Sequence, residues 1–102
     1  MSHYVLSSEA LAELDDIWAY IAQDDVEAAE RWIAKLLDAC ELLARNPLAG
    51  HTREELTESS FRFWPVDKYL IIYRVLGDAI EIVAVTQGSR DIPSYLRRRP
   101  QR

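Results

Sequence analysis

The chain has 102 residues, 49 % of them hydrophobic and 28 % charged, with a formal net charge of −5. That length leaves room for one domain, 1–102, around one core; the apolar fraction excludes a disordered chain, and the acidic balance excludes general affinity for nucleic acid. Cys40 is the only cysteine, which excludes an internal disulfide, and no apolar run approaches the roughly 20 residues of a membrane-crossing helix.

At the N-terminus, MSHYVLSSEA lacks the basic-then-apolar order of a secretory signal, so a cytoplasmic location is expected. HYVL (3–6) is a short β-prone stretch. Ser7 and Ser8 can supply a hydroxyl cap and Glu9 suits the positive end of a helix dipole, which predicts a helix from there to Gln23. Leu11, Leu14, Trp18 and Ile21 recur at three and four residues as its apolar stripe, with Glu13, Asp15 and Asp16 turned outward. Asp24 is placed to cap a second helix, and Glu27, three residues on, completes a capping-box-like pair. From Asp25 to Arg45 the polar residues keep helical spacing, and the apolar remainder, which includes Trp32, Leu36 and Cys40, forms an arc wider than one neighbouring helix covers. The first helix and a sheet would bury it; a groove for another protein is the alternative. Asn46-Pro47 stops this helix, and NPLAGHTREELTESS reads as the one long loop.

Beyond the loop the periodicity becomes that of strands. FRFWPV (61–66), KYLIIYRVL (68–76) and AIEIVAVT (79–86) are β-rich, and Gly77-Asp78 joins the last two as a hairpin. Pro65 assigns the first of the three to an edge or a strand end. The middle run is apolar on both faces, so it is the central strand. One of its faces can pack on the helices; the other has only the C-terminal segment or a partner to cover it.

The chemistry available is limited. His3 and His51 lie in unrelated segments and Cys40 stands alone on an apolar helix face, so no metal site is expected and the thiol reads as a small buried hydrophobe. Neither histidine is placed as a base for a Ser or Cys nucleophile, and three scattered glycines make no phosphate cradle. Charge is the informative feature. Residues 1–60 carry four Lys/Arg against 13 Asp/Glu, a balance of −9, whereas residues 61–102 carry eight against four, a balance of +4. The positive group comprises Arg62, Lys68, Arg74, Arg90, Arg97, Arg98, Arg99 and Arg102, interleaved with Trp64, Tyr69, Tyr73 and Tyr95. Cations beside aromatics suit phosphate and base stacking, and equally suit a partner's carboxylates; a merely solvated tail is the plain alternative for Arg97 to Arg99.

Taken in order, YVLSSEALAELDDIWAYIAQDD, EAAERWIAKLLDACELLARNPLAG, VDKYLIIYRVLGDAIEIVAVTQGSRD and the arginine-bearing end resemble the RelE/ParE superfamily of type II toxin-antitoxin systems over nearly the whole chain. The resemblance implies an α+β fold: an N-terminal strand, a two-helix antiparallel hairpin packed on a mainly antiparallel sheet, and a basic C-terminal segment. It implies a co-encoded antitoxin that wraps the toxin, with contacts drawn from Trp18, Trp32, Leu36, Trp64, Leu70, Ile72 and Arg74. In the ribosome-dependent mRNA interferases of the superfamily, lysines stand where this chain has Phe61 and Phe63, and an arginine stands where it has Leu70; only Arg90 and Tyr95 would remain for a nuclease. The ParE branch, associated with poisoning DNA gyrase rather than with catalysis, is similar to this chain in IWAYI, in the long second helix and in the GSRD turn. It implies a target-facing surface of Arg90, Tyr95, Arg97, Arg98 and Arg99, no cofactor or metal, no membrane partner, and operator DNA reached only through the ParD-like antitoxin. A RelE-like interferase, or a non-toxic member that only binds, are the alternatives.

Overall fold

The computed structural model describes residues 3–52, 60–88 and 92. In chain order the elements are β1 (His3–Leu6), α1 (Ser8–Ala22), α2 (Val26–Arg45), β2 (His51–Thr52), β3 (Arg62–Val66), β4 (Tyr69–Leu76) and β5 (Ala79–Gln87). The strands form one sheet in the order β1-β5-β4-β3-β2, parallel between β1 and β5 and antiparallel elsewhere. This is the α+β arrangement expected, with the doubly apolar β4 at the centre.

Ser7 joins β1 to α1 in a single residue. Its N–H donates to the Ile82 carbonyl (3.0 Å), its Oγ donates to the Val83 carbonyl (2.9 Å), and the same Oγ accepts the Ala10 N–H (3.0 Å) as the helix cap. A buried hydroxyl with both its donor and its acceptor used costs little to bury and fixes the helix start against β5. The small Ala10 therefore takes the close-contact position, and the buried stripe runs Ala10, Leu14, Ile17, Ile21. Leu11 and Trp18, expected in that stripe, stay 51 % and 37 % exposed. Glu13, expected to point outward, turns to the sheet and accepts the Val85 N–H at 2.9 Å.

The cap of α2 is Asp25, not Asp24. Because α1 runs to Ala22, Asp24 is consumed by the turn, where its N–H donates to Ile21, and Asp25 adopts the extended conformation in which its carboxylate accepts the Ala28 N–H (3.1 Å). Ala29, Leu36, Cys40, Leu43 and Ala44 are the buried positions of α2, which packs on α1, β1 and β5. Leu36, Cys40, Leu43 and Ala44 join Tyr69, Ile71 and Tyr73 of β4 and Ile80, Ile82 and Val85 of β5 in the main core. Strict alternation would send Val85 to the opposite face from Ile82; the register shift between Ile72 and Tyr73 accommodates Val83 as an extra residue and restores it.

The loop after α2 is not wholly irregular, since His51–Thr52 pair with Phe63 and Arg62 as β2. Asn46 closes the helix by donating its Nδ2–H to Leu42 O (3.0 Å). The turn that follows is held from beneath: the buried Tyr73 hydroxyl donates to Pro47 O (2.8 Å) and accepts the Gly50 N–H (2.8 Å), while Arg62 Nη1 donates to Gly50 O (2.9 Å). A Cβ on residue 50 would meet the Tyr73 hydroxyl at 2.5 Å, which is why glycine stands there. Pro65 lies past the end of β2, at the open part of the β3 edge, as its missing N–H requires. Gly77 holds φ +61° in the two-residue hairpin closed by Leu76 and Ala79.

Two outcomes follow for stability. Tyr73→Phe strands a buried carbonyl and N–H, and Gly50→Ala forces a methyl into the ring; each is expected to cost about 1–3 kcal/mol in urea denaturation, with Gly50→Ala much milder in a Tyr73→Ala background. Burial pushes the Cys40 thiol from 9.0 up to about 12, and burial also raises Tyr4, Tyr69 and Tyr73. Below these groups' ordinary values both states hold the proton and stability is flat. Above pH 9 the unfolded chain releases protons that the folded chain keeps, so stability falls as pH rises toward 12, less steeply in Cys40→Ala, as read by thermal melts across that range.

Candidate functional site

The face of the sheet away from the helices carries a second apolar cluster. Phe63, Leu70, Ile72 and Ala84 form it, and Ile92 from the C-terminal segment is buried among them. The chain itself thus supplies part of the cover for the second face of β4. Beside this cluster opens a cleft of about 370 Å³, lined by His51, Phe63, Pro65, Asp67, Tyr69, Leu70 and Gly88. None of these side chains carries a permanent positive charge. Phe61 is half-buried, and Phe63 and Leu70 are 1 % and 6 % exposed.

Further along this face Arg74 is opposite Glu81 across β4 and β5, and its Nε donates to Glu81 Oε1 at 2.8 Å. With Glu81 well covered and Arg74 half-exposed, the pair satisfies a carboxylate inside the sheet surface.

On the helical side, Trp18 Nε1 donates to Glu30 Oε2 (2.9 Å) and ties α1 to α2 near the surface. Leu11, Trp18, Tyr20 and Val26 leave apolar area exposed along this hairpin among its acidic side chains. At the β3–β4 turn, Trp32 meets Tyr69 edge-on with ring centres 5.3 Å apart. Lys35 lies 5.2 Å from the Trp32 ring centre, and Lys68 lies 5.8 Å from Trp32 and 5.6 Å from Tyr69. Lys35 is also paired with Asp67, whose φ of 53° sets the turn. Burial, with Tyr20 nearby, raises the Tyr69 phenol.

The residues read from the sequence as antitoxin contacts therefore divide. Trp18 is accessible and Trp32 and Trp64 are half-buried, whereas Leu36, Leu70 and Ile72 are enclosed by the chain itself and Arg74 is engaged by Glu81. Leu36 and Ile72 lie inside because α2 and the C-terminal Ile92 close over opposite faces of the sheet. Arg90, Tyr95, Arg97, Arg98 and Arg99 lie outside the described residues. Sequence reasoning missed the Lys35, Lys68, Trp32 and Tyr69 group, whose signal was a tryptophan and a lysine three apart on α2 facing a Lys-Tyr turn. Among the described residues no three His, Cys, Asp or Glu side chains converge as metal ligands, and no helix is long and apolar enough to cross a membrane.

A helical hairpin laid on this strand order is the α+β fold that the sequence resemblance implied. A family described as ParE toxin of type II toxin-antitoxin system, parDE, matches residues 4–92. Toxin ParE1 of Caulobacter vibrioides is 34 % identical over 97 residues, covering 94 % of this chain and 99 % of that protein. Putative toxin Y4kP of Sinorhizobium fredii is 36 % identical over 88 residues, covering 85 % and 88 % respectively. Toxin ParE1 of Mycobacterium tuberculosis is 30 % identical over 97 residues, covering 93 % of this chain and 98 % of its own. A solved structure, the chromosomal ParDE TA system from P. aeruginosa, shares the fold with TM-score 0.70 at 21 % identity, over 85 % of this chain and 96 % of that one. The chain belongs to the ParE toxin family of type II toxin-antitoxin systems.

The cleft's apolar lining is itself testable. Phe63→Lys and Leu70→Arg, which put charge where the fold buries carbon, are each expected to destabilise by about 3 kcal/mol or more in urea unfolding and to confer no RNA cleavage.

Proposed function

We propose that this chain is the toxin of a two-protein module, that it arrests growth by inhibiting DNA gyrase without itself making or breaking a covalent bond, and that a co-encoded ParD-like antitoxin neutralises it in the cytoplasm. The observation that carries the reading is the cleft: Phe63 and Leu70 occupy the places where a nuclease of the superfamily needs cations, and both are buried in an apolar cluster. Family membership supports the antitoxin, because the relatives are toxins and the structural neighbour is a ParDE system. Operator DNA is reached through the antitoxin, since this chain's net charge is −5.

In this reading the basic end, Arg90, Tyr95, Arg97, Arg98 and Arg99, faces the target and attracts acidic groups. The antitoxin covers the exposed apolar area of the helical hairpin around Trp18 and reaches Trp32 and Trp64 at the margins. Leu36, Leu70 and Ile72 support that surface from within.

Purified protein is expected to inhibit gyrase supercoiling and to leave ribosome-bound mRNA intact, and induced expression is expected to stop growth unless the antitoxin is supplied. Replacing Arg97, Arg98 and Arg99 together by Ala should weaken the growth arrest by roughly tenfold or more in inducer titration, as loss of several charged contacts implies. Cuts in translated mRNA, or full arrest by the triple variant, would count against the reading.

A further inference from the structure

We propose that Glu13 is a positioning residue that fixes the end of β5, after which the basic sequence follows in the chain; the inference rests on the functional reading above. β1 ends at Leu6, opposite Ile82, while β5 continues to Gln87. From Val83 onward the β5 edge that faced β1 has no strand beside it among the described residues. Two side chains from the start of α1 replace the missing strand. Ser7 Oγ donates to Val83 O (2.9 Å), and Glu13 Oε1 accepts the Val85 N–H (2.9 Å), two residues further along the same edge.

On its other edge this end of β5 is held by β4, through Thr86 opposite Leu70, Gln87 opposite Tyr69, and the Gly88 N–H donating to Lys68 O (2.9 Å). The strand end is thus clasped between α1 and β4, and Arg90 follows Gly88 by two residues in the chain. Glu13 lies on the inward side of α1, between the buried Ala10 and Leu14 and the half-buried Ile17. A carboxylate there is poor core material, and it makes a charge-assisted bond to the Val85 backbone N–H. The same helix presents Leu11 and Trp18 outward, so the surface read as antitoxin-facing and the start of the target-facing segment share one rigid element.

The experiment compares Glu13→Ala, Glu13→Gln and Tyr73→Phe with the wild-type chain. Tyr73 clamps the distant 47–50 turn, so its variant reports what a loss of stability alone does. Glu13→Ala is expected to speed amide exchange at Val85, relative to Ile80, by roughly tenfold or more, and to weaken growth arrest at a temperature where every variant is folded. Glu13→Gln, which keeps the acceptor oxygen, should recover most of both, and Tyr73→Phe should arrest growth as the wild type does. Unchanged Val85 exchange in Glu13→Ala, or growth arrest that tracks melting temperature through all three variants, overturns the assignment. A wild-type chain that fails to arrest growth overturns the functional reading instead, and the Val85 exchange then decides this one.

Discussion

A strand that is apolar on both faces has to be covered twice, and β4 imposes that requirement on the rest of the molecule. Tyr69, Ile71 and Tyr73 point to one side and Leu70 and Ile72 to the other, all of them nearly or wholly buried. The helical hairpin satisfies the first side. The second is covered over part of its area, by neighbouring strands and by Ile92, and the cleft opens where that cover stops. Among the described residues, both helices are spent on one face of the sheet, and Ile92 is the residue from beyond the strands buried on the other.

Polar groups decide how the layers sit, although apolar area drives their association. Ser7 sets the start of α1, Glu13 holds the far end of β5, and Tyr73 with Arg62 pins the turn after α2. Each of these bonds satisfies a backbone group that a sheet edge or a helix end would leave unpaired. The same economy explains why Lys35 and Asp67 pair at the β3–β4 turn, where the aromatic edge of Trp32 and Tyr69 also gathers Lys68. Exposed pairs of this kind contribute little stability but they set the charge that a partner meets.

Much of this was legible in the residues. Alternation in YLIIYRVL identified the central strand, Pro65 identified an edge, Gly77-Asp78 identified a hairpin, and the order of elements together with IWAYI and NPLAG pointed to the family. What failed was azimuth and register. The stripe of α1 keeps Leu14 and Ile21 but takes Ala10 and Ile17 in place of Leu11 and Trp18, because Ser7 is bonded to β5, a long-range contact that no helical period encodes. Asp24 and Asp25 are chemically alike, and only the length of α1 decides which becomes the cap. β2 is two residues long and carries no periodicity at all. For the residues expected at the antitoxin, the sequence did not tell the buried Leu36 and Ile72 from the accessible Trp18, a distinction that belongs to packing alone.

The sheet also has a temporal side. Its parallel pair joins β1 to β5, the first and last strands among the described residues, His3 opposite Ala79 and Leu6 opposite Ile82, so β1 has this partner only once β5 has been synthesised. Ser7, too, finds its carbonyl acceptors only in β5. Closing a loop of that length is slow relative to helix formation, and the two helices emerge long before the strand that orients them. The residues of the helical hairpin are therefore synthesised before those of the sheet they pack on, and the arginines that follow Gly88 come after β5 in the chain.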